Sequence, residues 1–305
     1  MEKGKIRFGA NGIHIFKRET GLNILVDERI PPSHLWTKCP RQVSIALTNT
    51  CNLNCSYCYA PKHSATLNFR RLIGWLDELD ANGCIGVGFG GGEPTLYPHL
   101  VELCSHVMKN TNLAITLTTH AHNLSKKLLS ELKDNLHFVR VSMDGVGSTY
   151  EFMRGRSFET LCKNIRKLKT IVPIGINYVV NSTTFNDLDA AAKLVADFGA
   201  SEFLLLPEEP TNGSHGINHQ TILALRKWVS SYNGKVPLSI SENHSEGFPV
   251  CNSLNKEKGL DVFAHIDASG ILKRTSYDNE GVDIQNNGVM DALGDLKKMK
   301  QSEGI

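Results

Sequence analysis

The chain contains 305 residues, of which 41% are hydrophobic and 21% are charged, and its formal net charge at pH 7 is +2. This length can bury a full core, and the nearly balanced charge gives no indication of a nucleic-acid partner. No apolar segment approaches the ~20 residues of a membrane span, and the N-terminus lacks the apolar stretch of a secretory signal. Because the eight cysteines occur without an export signal, we expect a cytoplasmic protein whose thiols are available for a metal.

Residues 1–38 are predicted to form an N-terminal β-hairpin segment. Apolar residues alternate on both sides of Asn11-Gly12, a dipeptide typical of tight hairpin turns. A second break occurs at Thr20-Gly21, and Pro31-Pro32 separates the segment from the rest of the chain. We therefore expect two short strands between residues 5 and 27, in a hairpin that flanks the main domain.

Residues 39–210 alternate regularly between short apolar runs and longer amphipathic segments. Strands are predicted at residues 43–47, 85–89, 114–118, 138–142, 174–180 and 203–206, and helices at 67–82, 98–109, 125–134, 158–171 and 187–198. Strands that alternate with helices indicate βαβ units and a parallel sheet. Right-handed crossovers would curl such a sheet into a complete or partial barrel, so we predict an α/β fold.

The loop after the first predicted strand carries the motif Cys51-Asn-Leu-Asn-Cys55-Ser-Tyr-Cys58. Thiolates are the preferred ligands of iron–sulfur clusters, so this spacing can bind three irons of a 4Fe–4S cluster and leave the fourth open. An open coordination position is typical of a reactive metal site. A zinc site would need a second C-x₂-C pair, and a ferredoxin-type cluster would need a fourth cysteine at a suitable offset. The sequence has no second C-x₂-C pair, and Cys84 and Cys104 fit neither spacing.

The second predicted strand leads directly into Gly90-Gly91-Gly92-Glu93-Pro94. Glycines let the backbone approach a ligand and leave amides free to bind its polar atoms, although a glycine-rich turn alone is often only a tight turn. The cysteine motif, followed one β/α unit later by this GGEP motif, resembles the radical S-adenosylmethionine (SAM) superfamily over about residues 42–206. The resemblance implies a partial (β/α)₆ TIM-like barrel. It also implies one 4Fe–4S cluster, bound by Cys51, Cys55 and Cys58, with SAM at its open iron.

The resemblance further implies an activity. A low-potential electron donor of the flavodoxin or ferredoxin type would reduce the cluster, SAM would be cleaved to a 5′-deoxyadenosyl radical, and this radical would abstract a hydrogen atom from the substrate. Gly91, Gly92 and Glu93 would contact the methionine amino group of SAM. Reactive groups in β/α barrels cluster at the C-terminal ends of the strands. The other SAM-binding candidates near such positions are Tyr57, Thr118, Ser142, Asp144, Arg154, Asn177 and Asn181.

The individual roles of these candidates stay open at this point. Arg154 could pair with the SAM carboxylate as a planar bidentate donor, and Arg156 is its alternative. Tyr57 could contact the adenine ring. Ser142 could bind SAM, but a short polar side chain at a strand end could equally cap the following loop or helix. His120 also follows a strand, where a histidine is more often structural than functional.

Residues 211–305 are predicted to form a small α+β extension with a helix at 221–232 and a hairpin at 262–266 and 271–275. The hairpin resembles the SPASM or twitch extension of radical SAM maturases, which binds auxiliary clusters. Cys251 is the only cysteine after Cys162, and a cluster needs about four thiolates or substitutes. We therefore expect a degenerate extension without an auxiliary cluster. Cys251 is either a buried thiol or a speculative catalytic residue.

The resemblance favours a peptide substrate, because relatives with this type of extension often modify ribosomal peptides. A small molecule, such as a sugar, a nucleotide or a cofactor precursor, is the alternative for the same chemistry. The reaction could be oxidative, or an isomerase or lyase type of conversion. Two hypotheses from other classes are a non-catalytic module that binds SAM or a protein partner, and a structural zinc protein. The presence of both the cysteine motif and the GGEP motif favours the enzyme.

Overall fold

The computed structural model describes residues 4–211, 213–241, 244–284 and 287–302. The N-terminal part forms a small antiparallel sheet of β1 (Lys5–Gly9), β2 (Gly12–Lys17) and β3 (Leu22–Val26). The predicted hairpin is therefore present, and the break at Thr20-Gly21 is a turn that leads into a third strand. Gly12 has a φ of 120°, and a Cβ atom there would lie 2.2 Å from the carbonyl oxygen of Val26, so this turn position requires glycine.

A second sheet of ten strands forms the body of the protein. In spatial order its strands are β10 (Leu238–Ile240), β9 (Glu202–Pro207), β8 (Ile174–Val180), β7 (Phe138–Ser142), β6 (Ala114–Thr119), β5 (Gly86–Gly91), β4 (Gln42–Thr48), β11 (Phe263–Ile266), β12 (Ile271–Lys273) and β13 (Val282–Asp283). All neighbours from β10 to β11 are parallel, whereas β12 and β13 are antiparallel to their neighbours. The predicted α/β fold with a parallel sheet is confirmed, in the form of a partial TIM-like barrel.

Eight α-helices accompany the strands in the described part of the chain. They are α1 (Phe69–Ala81), α2 (Leu100–Asn110), α3 (Lys126–Leu132), α4 (Ser148–Arg154), α5 (Phe158–Lys169), α6 (Leu188–Asp197), α7 (His219–Ser231) and α8 (Val289–Ser302). The sequence patterns did not predict α4 or α8. Among the described helices, none combines the length and the apolar character needed to cross a bilayer.

Helix α1 shows how local sequence determines the element. The Asn68 side chain accepts a hydrogen bond from the backbone amide of Arg71 and so caps the first turn. Leu72, Leu76 and Leu79 recur at helical spacing and are fully buried in the hydrophobic core. After the helix the chain turns at Gly83, whose φ is 86°. The apolar stripe of α1 thus covers the sheet.

The N-terminal sheet packs its polar face against the barrel. Arg7 and His14 are opposite each other in the register and are only 2% and 6% exposed. Arg41, just before β4, binds both carboxylate oxygens of Glu257 at 2.6 and 2.7 Å and also lies 2.7 Å from His14 Nδ1. The other face of the sheet carries apolar side chains, of which Ile6 is 62% exposed. Buried polar contacts, not apolar ones, therefore attach this sheet to the barrel.

The C-terminal hairpin continues the barrel sheet, because β11 pairs in parallel with β4. Helix α8 is attached to the barrel through Glu78, whose carboxylate accepts hydrogen bonds from the backbone amides of Val289 and Met290 at 2.7 and 3.0 Å. These amides belong to the first turn of α8, where a helix stabilises negative charge. The division of the chain after residues 38 and 210 stays a prediction.

Two histidines with a lowered pKa predict how stability depends on pH: His265, which is buried, and His137, which is half-buried. Burial lowers the pKa of His137 and of His265 from 6.5 to about 4. As the pH falls, these histidines take up a proton at higher pH in the unfolded chain than in the folded chain. The contribution of the neutral histidines to the free energy of unfolding is therefore complete above pH 6.5 and is lost as the pH falls towards 4. For His265, which is 3% exposed, the loss by pH 4 is at most about 3 kcal/mol.

We expect thermal unfolding midpoints to fall steadily between pH 7 and pH 4.5, measured by circular dichroism. The variant His265→Gln removes one of the histidines whose pKa is lowered and should show a smaller decrease over the same pH range. Equal midpoints for the wild-type protein throughout this range would contradict the expectation.

Candidate functional site

The C-terminal ends of the parallel strands surround an open cavity of about 320 Å³. Nearly all of the residues predicted from the sequence lie in its wall. These are Cys51, Cys55, Tyr57, Cys58, Gly91, Gly92, Glu93, Thr118, Ser142, Asp144, Arg154 and Asn177. The cavity therefore has the position that ligand sites take in β/α barrels.

On the side of β5, the barrel interior is open because its inward-facing residues are glycines. Closed β/α barrels usually fill this space with bulky branched residues. Here β5 alternates Val87 and Phe89, which are buried in the hydrophobic core, with Gly88 and Gly90, which line the cavity. A Cβ atom on Gly90 would meet only Thr118 Cβ, at 4.0 Å. The glycines of β5 thus leave room for a ligand.

Gly91 and Gly92 serve a different purpose from Gly90. Gly91 has a φ of 121°, and a Cβ atom on it would lie 2.4 Å from the carbonyl oxygen of Thr48. A Cβ atom on Gly92 would lie 2.3 Å from the carbonyl oxygen of Thr50. The amide of Gly92 donates to Thr48 O at 2.7 Å, and the amide of the next residue, Glu93, donates to Thr50 O at 2.8 Å. These two glycines therefore bring the cysteine loop directly against the glycine motif.

The three motif cysteines follow β4 and open onto the same cavity. Cys51 is exposed, whereas Cys55 and Cys58 are half-buried, and the amide of Cys58 donates to Cys55 O at 3.3 Å. In the parts of the chain that the structure describes, no three His, Cys, Asp or Glu side chains already surround a common metal position. Three soft thiol ligands on one short loop nevertheless match the donor set of a 4Fe–4S cluster in its chemistry.

A buried polar network connects the cysteine loop with β7 and β8. Asp144 is completely buried, and its Oδ2 accepts hydrogen bonds from the Tyr57 hydroxyl at 2.6 Å and from Arg154 Nε at 2.7 Å. Its Oδ1 accepts one from the amide of Val179 at 2.8 Å. Arg154 lies over the Tyr57 ring at 5.6 Å, and its Nη1 is 3.8 Å from Cys55 Sγ. Burial and the Asp144 carboxylate raise the pKa of Tyr57, which keeps its hydroxyl protonated as a donor.

Glu93 joins the ends of β5 and β6. It is 1% exposed, and its Oε1 accepts hydrogen bonds from the hydroxyls of Thr95 and Thr119, both at 2.6 Å. Its Oε2 accepts one from the amide of His120 at 3.0 Å. In the structure, several donors already surround the Glu93 carboxylate. Its contacts therefore connect the loop after β5 to the loop after β6.

The remaining candidates differ in their surroundings. Asn177 Oδ1 is buried and has no hydrogen-bond partner among the described residues, so it is available to a ligand with a donor group. Asn181 is not among the cavity-lining residues; it donates to Glu208 Oε2 at 2.6 Å. Arg156 donates to Asn52 O at 2.8 Å instead of lining the cavity. Cys251 is exposed and is also absent from the cavity wall in the described part of the chain.

Two aromatic residues that sequence reasoning missed lie in the cavity wall. Tyr59, directly after Cys58, and Tyr277, in the C-terminal part, are 38% and 41% exposed, and their ring centroids are 5.3 Å apart. The position of Tyr59 beside the last motif cysteine was a usable signal. Nothing in the sequence around Tyr277 indicated its partner, because the two residues are far apart in the chain.

The variant Gly90→Leu tests whether the hollow is the SAM site. The added side chain projects into free space, so we expect SAM binding to be lost while the thermal midpoint stays close to that of the wild-type protein. Gly74→Leu, on α1, is a matched control because it makes the same substitution outside the cavity, where a Cβ atom meets nothing within 4 Å. Isothermal titration of reconstituted proteins with SAM would measure both, and unchanged affinity in Gly90→Leu would contradict the assignment.

Comparisons with known proteins agree with this geometry. The family model of the radical SAM superfamily matches residues 45–195. The chain is 30% identical to the subtilosin biosynthesis protein AlbA of Bacillus subtilis over 176 residues, which are 54% of this chain and 38% of AlbA. It is 26% identical to Fe-coproporphyrin III synthase of Methanosarcina barkeri over 182 residues, which are 56% of this chain and 45% of that protein. The chain thus spans about half, or less, of the length of these curated relatives.

The fold is similar to that of a solved structure. Streptococcus suis SuiB, in a crystal structure with its precursor peptide SuiA, matches 96% of this chain and 87% of its own chain with a TM-score of 0.76 and 11% identity. At this identity the likeness concerns the fold alone. The family match covers the strands that carry the cysteine motif and the GGEP motif, and these motifs face one cavity. The chain therefore belongs to the radical SAM superfamily, whose members use a 4Fe–4S cluster and SAM.

Proposed function

We propose that this chain is an enzyme that binds one 4Fe–4S cluster, cleaves SAM reductively and uses the 5′-deoxyadenosyl radical to abstract a hydrogen atom from a peptide. The observation that carries the proposal is the shared cavity. Cys51, Cys55 and Cys58 open onto the same hollow that Gly90 leaves free. A non-catalytic module that binds SAM would also need the hollow, but it would not need three free thiols beside it.

Cys51, Cys55 and Cys58 would hold the cluster. When bound and reduced, such a cluster supplies the electron that breaks a carbon–sulfur bond of SAM. The chain itself orients the cosubstrate and limits its access to water. Arg154, with Asp144 at its Nε, presents a fixed guanidinium beside the cysteine loop, suited to a carboxylate. Asn177, on β8, offers a free acceptor in the wall of the same cavity.

The cavity size argues that the substrate binds partly outside it. A volume of about 320 Å³ is at the lower end of the range for a pocket that holds one small molecule. SAM alone would occupy most of this space, so the substrate would approach across the mouth, beside Tyr59 and Tyr277. An extended peptide can lie across such a mouth and insert a single side chain. The similarity to AlbA and to SuiB, crystallised with a precursor peptide, supports a peptide substrate.

A small-molecule substrate is the second candidate for the same chemistry. The similarity to Fe-coproporphyrin III synthase supports it. In both cases we propose a low-potential electron donor of the flavodoxin or ferredoxin type and a cytoplasmic setting. We propose that the C-terminal extension, from residue 211 onward, carries no auxiliary cluster and serves as a platform for the substrate, because it places Tyr277 in the cavity wall.

An anaerobic assay tests the proposal. The protein is reconstituted with iron and sulfide, SAM and dithionite are added, and 5′-deoxyadenosine is measured by liquid chromatography. We expect about four irons per chain and formation of 5′-deoxyadenosine. Zinc in place of iron together with intact SAM would overturn the proposal. A cluster with slow cleavage that accelerates on addition of a peptide library, but not of nucleotides or sugars, would support the peptide.

A further inference from the structure

The cysteine loop is held on both sides of Cys51. On one side, Thr50 O accepts the hydrogen bond from the amide of Glu93 at 2.8 Å. On the other side, Asn52 has two partners from distant loops. Its Oδ1 lies 2.7 Å from His120 Nε2, and its backbone oxygen accepts from Arg156 Nη2 at 2.8 Å.

The protonation state of His120 follows from its contacts. His120 Nδ1 accepts a hydrogen bond from the backbone amide of His122 at 3.0 Å, so the ring proton is on Nε2. The ring therefore donates to Asn52 Oδ1, and the same nitrogen is 3.2 Å from Glu93 Oε2. Burial lowers the pKa of His120, which is 4% exposed, and keeps the ring neutral. The donor to Asn52 is thus permanent near neutral pH.

The backbone next to His120 has an unfavourable conformation that local hydrogen bonds hold in place. Ala121 has a φ of 60°, a left-handed conformation that costs a residue with a Cβ atom about 1 kcal/mol. Its amide donates to Thr119 Oγ1 at 3.0 Å, and its oxygen accepts from Asn164 Nδ2 at 2.8 Å. These contacts hold the turn in the conformation that directs the His120 ring towards the cysteine loop.

We propose that His120 and Arg156 are positioning residues, which act through Asn52 to hold Cys51 beside Cys55 and Cys58. The inference rests on the proposed function, because it requires Cys51 to bind the cluster. No regular secondary structure runs through residues 50–64 in the described chain, so side-chain contacts set the order of this loop. Residues that orient metal ligands typically contribute 10–100-fold to metal affinity. We therefore expect the loss of one of these contacts to weaken retention of the cluster about 10–100-fold.

The test compares cluster retention in the full-length reconstituted protein. Iron transfer to bathophenanthroline is followed by absorbance without oxygen, for the wild-type protein, His120→Ala, Asn52→Ala and the double variant. We expect each single variant to lose iron about 10-fold faster or more, and the double variant to lose it no faster than the single variants. His120→Gln keeps a side-chain amide donor and should recover part of the retention.

Two further variants make the test specific. His106→Gln, on α2, is the control, because His106 contacts Asp77 and Asn110 far from the loop, and it should keep wild-type retention. Asn52 and Arg156 are exposed, so Asn52→Ala and Arg156→Ala test the same contacts without a buried change. Electron paramagnetic resonance of the reduced cluster should show an altered spectrum in Asn52→Ala and an unaltered one in His106→Gln.

The outcomes distinguish failure of the positioning role from failure of the proposed function. If the wild-type protein holds a cluster and His120→Ala and Asn52→Ala release iron at the wild-type rate, the positioning role is overturned and the proposed function stands. Additive effects in the double variant would also overturn it, because His120 and Asn52 would then act independently. If the wild-type protein itself binds no iron–sulfur cluster, the proposed function fails and the positioning role fails with it.

Discussion

Replacing Cys55 with alanine is expected to reduce 5′-deoxyadenosine formation to the level of a protein-free control. A 4Fe–4S cluster held by three thiolates loses a third of its protein ligands in this variant, and the remaining two do not fix a cube with one open iron. Cys55 also lies in the middle of the loop, where its backbone oxygen accepts from Cys58 N and its sulfur is near Arg154. Iron content and product are measured anaerobically on the same samples.

A second thiol serves as the control for this variant. Cys104 is fully buried in α2 and is not in the cavity wall. Cys104→Ala should keep the cluster and the cleavage of SAM and should lose only about 1 kcal/mol of stability through the small cavity it creates. Retention of about four irons and of turnover in Cys55→Ala, with the same values in Cys104→Ala, would contradict the assignment of the cluster ligands.

The sequence predicted the barrel well because its signals are local. Strand β7 and strand β8 begin and end where the apolar runs do. Helix α4 was missed because its seven residues, between Gly147 and Gly155, are too short to show a helical period. The alternation in β1 and β2 predicted strands but could not indicate which face is buried. The buried face proved to be the polar one, since Arg7 and His14 find partners at the base of the barrel.

The candidate site could be predicted residue by residue, but not as a network. The cysteine spacing and the GGEP motif identified the loops, because each motif is a continuous segment. The contact of Tyr57 with Asp144 joins residues 87 positions apart, and no local pattern encodes it. The same holds for the hydrogen bond between His120 and Asn52, which are 68 positions apart in the chain. Such pairs depend on which loops the strand order brings together. The sequence alone predicted a barrel but not these contacts between its loops.

The buried network around Asp144 predicts the second large effect, a loss of stability and of SAM cleavage in Asp144→Ala. Removing this carboxylate leaves three donors without their acceptor, namely the Tyr57 hydroxyl, Arg154 Nε and the amide of Val179. It also leaves the Arg154 charge without its partner, where the side chain is only 13% exposed. Breaking a buried ion pair from one side costs about 3–5 kcal/mol.

The complementary variant Arg154→Ala should be less destabilising than Asp144→Ala. In Arg154→Ala the Asp144 carboxylate would keep two donors, Tyr57 and the amide of Val179, whereas in Asp144→Ala the buried guanidinium loses its carboxylate partner. Tyr57→Phe removes one hydrogen bond and should cost about 1 kcal/mol. Glu159→Ala breaks an exposed pair with Lys163 on α5 and serves as the control without a measurable change.

Denaturant unfolding followed by circular dichroism gives the order of these stabilities, and the 5′-deoxyadenosine assay gives the activities. We expect Asp144→Ala to have the lowest midpoint. We also expect both variants to lose SAM cleavage, because Arg154→Ala removes the guanidinium beside Cys55 and Asp144→Ala removes the carboxylate that holds it there. A midpoint of Asp144→Ala equal to that of Glu159→Ala would show that the network does not stabilise the fold. Full SAM cleavage in Arg154→Ala would exclude this guanidinium from the site, and Arg156, held at Asn52, would then be the next residue to test.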